Sequence, residues 1–225
     1  SIDIVQSNTS FFNHFMRKID EQSTTPAGLD HWRQFFGHNI SIPFHSCFGG
    51  LKENYMGEID YLLAHNSLYT NEKLCNLSIN VDKLCSFCSG YVESAYHLFA
   101  KCSFVQDLLY KVKIICQRII DKDISSDLFT MYAILGYHSS SNKKAYHLVN
   151  FVISNYHFSV WCGRKWKRTR ENISLERIFK AFIKKRLELE YKSNCMNNSV
   201  QSFYDKFGYR DVLATRSQDG FKLTF

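Results

Sequence analysis

A chain of 225 residues with 45% hydrophobic and 16% aromatic side chains has enough apolar surface to bury an ordinary core, in one domain or two small ones. Two prolines and ten glycines, against nineteen Phe and thirteen Tyr, exclude low-complexity disorder and a turn-rich sandwich, leaving a mainly α fold. The net charge of +7 is segregated: Arg164 to Lys192 holds eleven Lys or Arg and four acids, an excess equal to that of the whole chain, and such a patch suggests a polyanionic partner.

Along the chain, Phe11 to Ile19 carries apolar residues at helical spacing, and the polar stretch Asp20 to Thr25 leads to Pro26 and Gly28. The aromatic segment His31 to Phe36 follows, then short pieces punctuated by Gly37, Pro43 and Gly49-Gly50. Glu58 to His65 sets Ile59, Leu62 and Leu63 on one helical face, and Thr70 reads as the N-cap of a second helix carrying Leu74. After the cysteine-rich stretch, a helix starting near Ser94 is expected to run through Leu108, Leu109, Val112 and Ile115 to Ile119. Asp127 to Tyr137 is apolar and breaks at Gly136, and Ser139 to Asn142 is the clearest linker, a candidate subdomain boundary. Beyond it, Ala145 to Trp166 reads as a long buried helix. Ser174 then caps another, with Leu175, Ile178, Phe179, Phe182 and Leu189 inward and its basic residues outward. The expected organisation is an N-terminal segment over 1–57, a helical zinc-binding unit over 58–137, a basic helical unit over 143–192, and an unassigned tail over 193–225.

The chemistry lies in Cys85-x2-Cys88-x8-His97-x4-Cys102, three thiolates and an imidazole, the soft tetrahedral set that zinc prefers, with no position left for water. This predicts a small CCHC zinc-knuckle-like insertion in a helical domain, holding a structural zinc ion. His97 and Cys102 are five positions apart, about one and a half α-helical turns, so reaching one ion requires the helix to fray or bend. The remaining cysteines, Cys47, Cys75, Cys116, Cys162 and Cys195, are odd in number and scattered, as expected of reduced thiols rather than disulfides. The other histidines lack partners at ligand spacing. Asp121, Asp123 and Asp127 read as solvated acids, and there is no nucleophile elbow, phosphate loop or carboxylate pair to suggest a catalytic centre.

The residues Glu58 to Thr70, Leu74, Cys85-Ser-Phe-Cys88 and Glu93-Ser-Ala-Tyr-His97-Leu-Phe-Ala-Lys-Cys102 resemble the zinc-binding region of non-LTR (LINE-type) retrotransposon reverse transcriptases. His31 to Gly37 is similar to an upstream Trp-containing element of that region, and Val160 to Lys165 to a downstream helix ending in basic residues. The polymerase palm and the endonucleases of such elements have no counterpart in this chain. The resemblance implies a non-catalytic piece of a larger RNA-directed DNA polymerase that holds the element's RNA, with target DNA as a second candidate. It also implies an upstream polymerase domain in the same polypeptide. Arg164, Lys165, Lys167, Arg168, Arg170, Lys184, Lys185 and Arg186 are the candidate nucleic-acid contacts. A zinc-stabilised protein-interaction module with a basic face is the alternative.

The chain begins with Ser, shows no signal peptide, and has no apolar stretch near the roughly 18 residues of a membrane helix. The expectation is a piece of a longer intracellular protein with no membrane partner, found as a ribonucleoprotein in nucleus and cytoplasm.

Overall fold

The computed structural model describes residues 28–42, 47–48, 51–138, 142–167, 169, 172–218 and 220–225. The expected helix over 11–19, the polar stretch after it, Pro26, Pro43, Gly49-Gly50, most of the Ser139–Asn142 linker, Arg168 and Arg170 lie outside the described residues. The chain divides into two compact units, residues 1–40 and 41–225.

In the first unit, α1 (Leu29–Phe36) ends where Gly37 takes φ +85, a left-handed conformation that costs a glycine little. Its rings pack on one another, Trp32 edge-on to His31 and stacked against Phe36.

The second unit is mainly helical, as the composition predicts: α2 (Asn54–Ala64), α3 (Asn71–Asn76), α4 (Ser103–Ile120), α5 (Ser126–Leu135), α6 (Lys143–Lys167), α7 (Leu175–Met196) and α8 (Val200–Phe207), then an antiparallel hairpin, β1 (Ala214–Ser217) and β2 (Gly220–Leu223). The long helix α6 is the axis, packed against α2, α4, α7 and α8. Its middle is buried on every side, Leu148, Phe151, Val152, Tyr156 and Val160 among apolar neighbours and Asn150, Ser154, Asn155, His157 and Ser159 with hydrogen-bond partners.

Two buried polar arrangements fix the neighbours of α6. Asn150 accepts from Tyr137 N–H at 2.9 Å and donates to Tyr137 O at 2.8 Å, gripping the backbone just past the Gly136 break that ends α5. Helices on both sides of the Ser139–Asn142 stretch therefore share one core, and that stretch does not separate two packed units. In the second arrangement the Asp60 carboxylate accepts from Lys52 Nζ at 2.7 Å, from the Ser154 hydroxyl, and from His157 Nδ1 at 2.8 Å, tying α2 to α6. Burial pushes the Asp60 carboxyl up, but Lys52 and His157 together outweigh it and hold the group below its ordinary range.

Three sequence expectations change. The helix expected to run from Ser94 to Ile119 is interrupted at Cys102, whose extended backbone (φ −64, ψ 125) separates a π-helical turn, His97–Lys101, from α4. On α7 the inward row is Leu175, Phe179, Ile183 and Leu187, one ridge at i+4 spacing, whereas Leu189 is 52% exposed. The tail is part of the core: Phe203 and Phe207 of α8 are fully buried, Phe207 against Phe151 of α6.

Candidate metal centre

The centre is built from a hairpin and a broken helix. Leu84 and Val92 pair as an antiparallel bridge, and Cys85 N–H donates to Tyr91 O at 2.8 Å, so the chain doubles back between them. Ser89, at φ +51, makes the left-handed step of the turn and donates to Cys85 O at 2.9 Å. This brings Cys85 and Cys88 to one edge. The other two ligands come from the π-helical turn. In an α-helix, residues five apart lie about 140° apart around the axis. Here Cys102 N–H bonds to His97 O at 2.7 Å, the i→i+5 pattern of a π-turn, which brings the fifth residue back beneath the first.

The sulfur atoms of Cys85, Cys88 and Cys102 and a ring nitrogen of His97 all lie within 4.8 Å of one another. Cys85 and Cys102 sulfurs are 3.7 Å apart, and Cys88 Sγ is 3.4 Å from His97 Nε2. A tetrahedral zinc ion with Zn–S of about 2.3 Å and Zn–N of about 2.0–2.1 Å has S···S edges of about 3.8 Å and S···N edges of about 3.6 Å. The observed edges fit that ion, and 3.7 Å is far beyond a disulfide bond. All eight cysteines are free thiols. Contact with the Cys102 sulfur brings the Cys85 thiol down to about 5, against burial and with help from the Cys88 and Phe87 amides. The same contact, with burial, holds Cys102 well up. Zinc would be held by both sulfurs as thiolates, so loading the site would release their protons.

What supports this centre is a network that the charge pattern did not reveal. Glu93 is fully buried, and its carboxylate accepts from Asn71 N–H at the start of α3 (2.9 Å), from Ser86 N–H inside the Cys85–Cys88 turn (2.7 Å), and from Arg164 Nε on α6 (2.7 Å). Arg164 also donates to Asn71 Oδ1 at 2.9 Å, and Asn71 Nδ2 donates to Leu84 O at 2.7 Å. Thr70 stands at the N-cap of α3 as expected, but its side chain makes no capping bond there, and the carboxylate of Glu93 caps the helix from 22 residues away. Ser94 Oγ in turn accepts from His97 N–H at 3.0 Å. Each named residue of the Glu93-Ser94-x-x-His97 signature therefore has a structural part: Glu93 holds the hairpin, Ser94 starts the turn, and His97 is a ligand.

Arg164 is the main correction to the expected nucleic-acid contacts. Only 6% exposed, it faces the zinc unit as the counter-ion of Glu93, because an uncompensated carboxylate at that depth would be far costlier than a paired one. Arg186 is held by Glu53 and by Glu190 at 2.7 Å. Lys165, Lys184 and Lys185 are exposed, Lys184 with Glu188 at 3.8 Å, and Lys167 is half-buried. Asp121, Asp123 and Asp127 are exposed, Asp121 paired with Arg210 at 2.7 Å. Among the described residues no helix is long and apolar enough to cross a membrane.

Four protein ligands that close a tetrahedron, in a helical frame and with a buried supporting network, define a structural zinc centre. Residues 29–108 match the family model described as zinc-binding in reverse transcriptase, a stretch that includes all four ligands of the centre. None of the curated proteins and none of the solved structures matches the chain.

Proposed function

We propose that the chain is a zinc-stabilised nucleic-acid-binding region of a non-LTR retrotransposon reverse transcriptase. It holds the element's RNA, with target DNA as the second candidate, beside a polymerase domain of the same polypeptide, and catalyses nothing itself. Its place in the cell on this reading is a ribonucleoprotein of nucleus and cytoplasm. The observation that carries the binding role is the basic surface that remains once the inward-facing Arg164 and the doubly paired Arg186 are set aside. Arg177, Lys180 and Lys184 follow one another at three- and four-residue spacing along α7, Lys180 and Lys184 exposed beside Glu176 at 2.9 Å and Glu188 at 3.8 Å, and Lys165 and Lys185 are exposed as well. Phosphates are the anions such a stripe attracts, and its binding is salt-dependent.

The test is RNA binding by the zinc-loaded protein across a salt series, compared with a Lys165→Gln, Lys167→Gln, Lys184→Gln, Lys185→Gln variant. The reading expects the variant to bind all sequences more weakly and to flatten the log–log salt slope, by about 0.7 for each phosphate that is no longer neutralised. Equal binding by the two proteins would reduce the stripe to a soluble face.

One observation favours the protein-interaction reading. Tyr69, Leu77, Ile79, Leu84, Tyr91 and Val92, all within the segment that forms the zinc unit, are exposed apolar side chains. Substituting Tyr91 and Leu84 by Ser separates the two readings: RNA binding should be unchanged, while association with a protein partner should fall.

A further inference from the structure

Between the first turn of α4, the last turn of α6 and the first turn of α7 the surface opens into a cleft of about 530 Å³, within the range of small-ligand sites. Phe104, Trp166, Ile173 and Ile178 give it apolar walls, and Lys167 and Arg177 line it with positive charge. None of the described residues that line it is acidic. Resting on the nucleic-acid reading above, we propose that this cleft takes one unpaired nucleotide of a single-stranded nucleic acid. Its base lies against Phe104 and Trp166, and its phosphate lies between Lys167 and Arg177.

The Phe104 wall is backed from behind. Phe87, in the middle of the Cys85–Cys88 turn, stacks face to face on Phe104 with ring centres 4.9 Å apart and planes 9° from parallel, so the zinc hairpin backs one wall. Lys167 Nζ stands 5.7 Å from the centre of the Phe104 ring, which sets a cation beside an aromatic face. Gly163 lets the start of α7 come close: a Cβ there would meet Leu175 at 2.3 Å and approach Phe87 at 3.6 Å. Aromatic walls with one cation over the Phe104 ring and a second, Arg177, in the same lining match the two parts of a nucleotide, a π-face that any base offers and a phosphate a few ångströms away. A neutral apolar ligand would draw nothing from the two cations. A base within a duplex is already stacked and cannot enter without being turned out of the helix.

The test uses a single-stranded 12-nucleotide RNA carrying 2-aminopurine, whose fluorescence falls on stacking, with the full chain loaded with zinc. The wild type should quench the probe, and a duplex of the same length should bind more weakly and not quench. Trp166→Leu should lose the quenching and roughly tenfold in affinity, and Arg177→Gln should reduce the salt slope by about 0.7. Lys185→Gln should lose affinity without losing the quenching. Because Trp166 also packs near Phe182, Asn172→Glu at the exposed rim provides a second variant that removes no packing and should weaken binding several-fold. If the Trp166 and Asn172 variants, folded and with one zinc, bind and quench as the wild type does, the cleft is not the site, while the nucleic-acid reading stands. If the wild type binds no RNA at all, that reading fails and the cleft assignment with it.

Discussion

Three donors converge on the Glu93 carboxylate from α3, the zinc hairpin and α6, and one of them, Arg164, is a buried cation. Removing the cation alone leaves a desolvated carboxylate. Arg164→Met is therefore expected to cost about 3–5 kcal/mol, read by urea unfolding of the zinc-loaded protein. Adding Glu93→Gln keeps an acceptor for the two N–H groups without the charge, and should recover most of the loss. The Arg164→Met protein that remains folded should show the wild-type salt slope for RNA, since this side chain does not face solvent. Asp60 supplies a second residue-scale test. Its carboxyl is held below its ordinary value of 3.8, so the stability it contributes is present above that pH and is lost as pH falls through the lower folded value. Burial and the Asp60 charge together push the neighbouring Cys47 thiol up to about 12, so that group stays neutral throughout this range. Asp60→Asn leaves Lys52 and His157 without their anion. It should lower stability at neutral pH and flatten the stability profile below about pH 4, measured by unfolding at each pH.

At the scale of elements, the π-turn and the break at Cys102 free backbone carbonyls that helix geometry no longer satisfies. Two side chains take them up, the Tyr156 hydroxyl donating to Phe99 O and Gln106 Nε2 to Ala100 O at 2.6 Å. Tyr156→Phe keeps the ring and leaves the Phe99 carbonyl unpaired in the core. The expected loss is about 1–3 kcal/mol in thermal or chemical unfolding, with weaker zinc retention in competition with a chelator. Gly163→Val should cost about 1–3 kcal/mol by pushing Leu175, and with it the start of α7, away from α6. The four ligands are legible in the sequence because their types and spacings are chemically restrictive. The π-turn is not, since the choice between i→i+4 and i→i+5 bonding rests on partners such as Tyr156, 57 residues from Phe99. Leu189 reads as inward because leucine is apolar, whereas the i+4 row ending at Leu187 decides the face. In α8, Val200, Phe203, Tyr204 and Phe207 do carry helical spacing, but a short helix between Ser199 and Gly208 is too brief to stand out in a long tail of weak periodicity.

At the scale of the whole molecule, the zinc centre holds together a hairpin, a turn and the start of α4, and Glu93 joins that unit to α6 and so to the basic end of the chain's longest helix. The mainly helical class and the long central helix follow from composition and periodicity. The distribution of charge is legible only as a sum: eleven cations in one segment predict a basic face, but not that Arg164 turns inward or that Arg186 is committed to Glu53 and Glu190. Counting charges along a sequence does not reveal which acids the fold will bring to them. All of this depends on Cys85, Cys88, His97 and Cys102 closing a tetrahedron around one zinc ion. X-ray absorption at the zinc edge, on purified protein with its metal content measured, reads that ligand set. The expected result is one zinc per chain with three sulfur neighbours at about 2.3 Å and one nitrogen at about 2.0–2.1 Å, falling to two sulfurs in Cys88→Ser. A protein folded without zinc, or a zinc shell of oxygen and nitrogen that Cys88→Ser leaves unchanged, would contradict it.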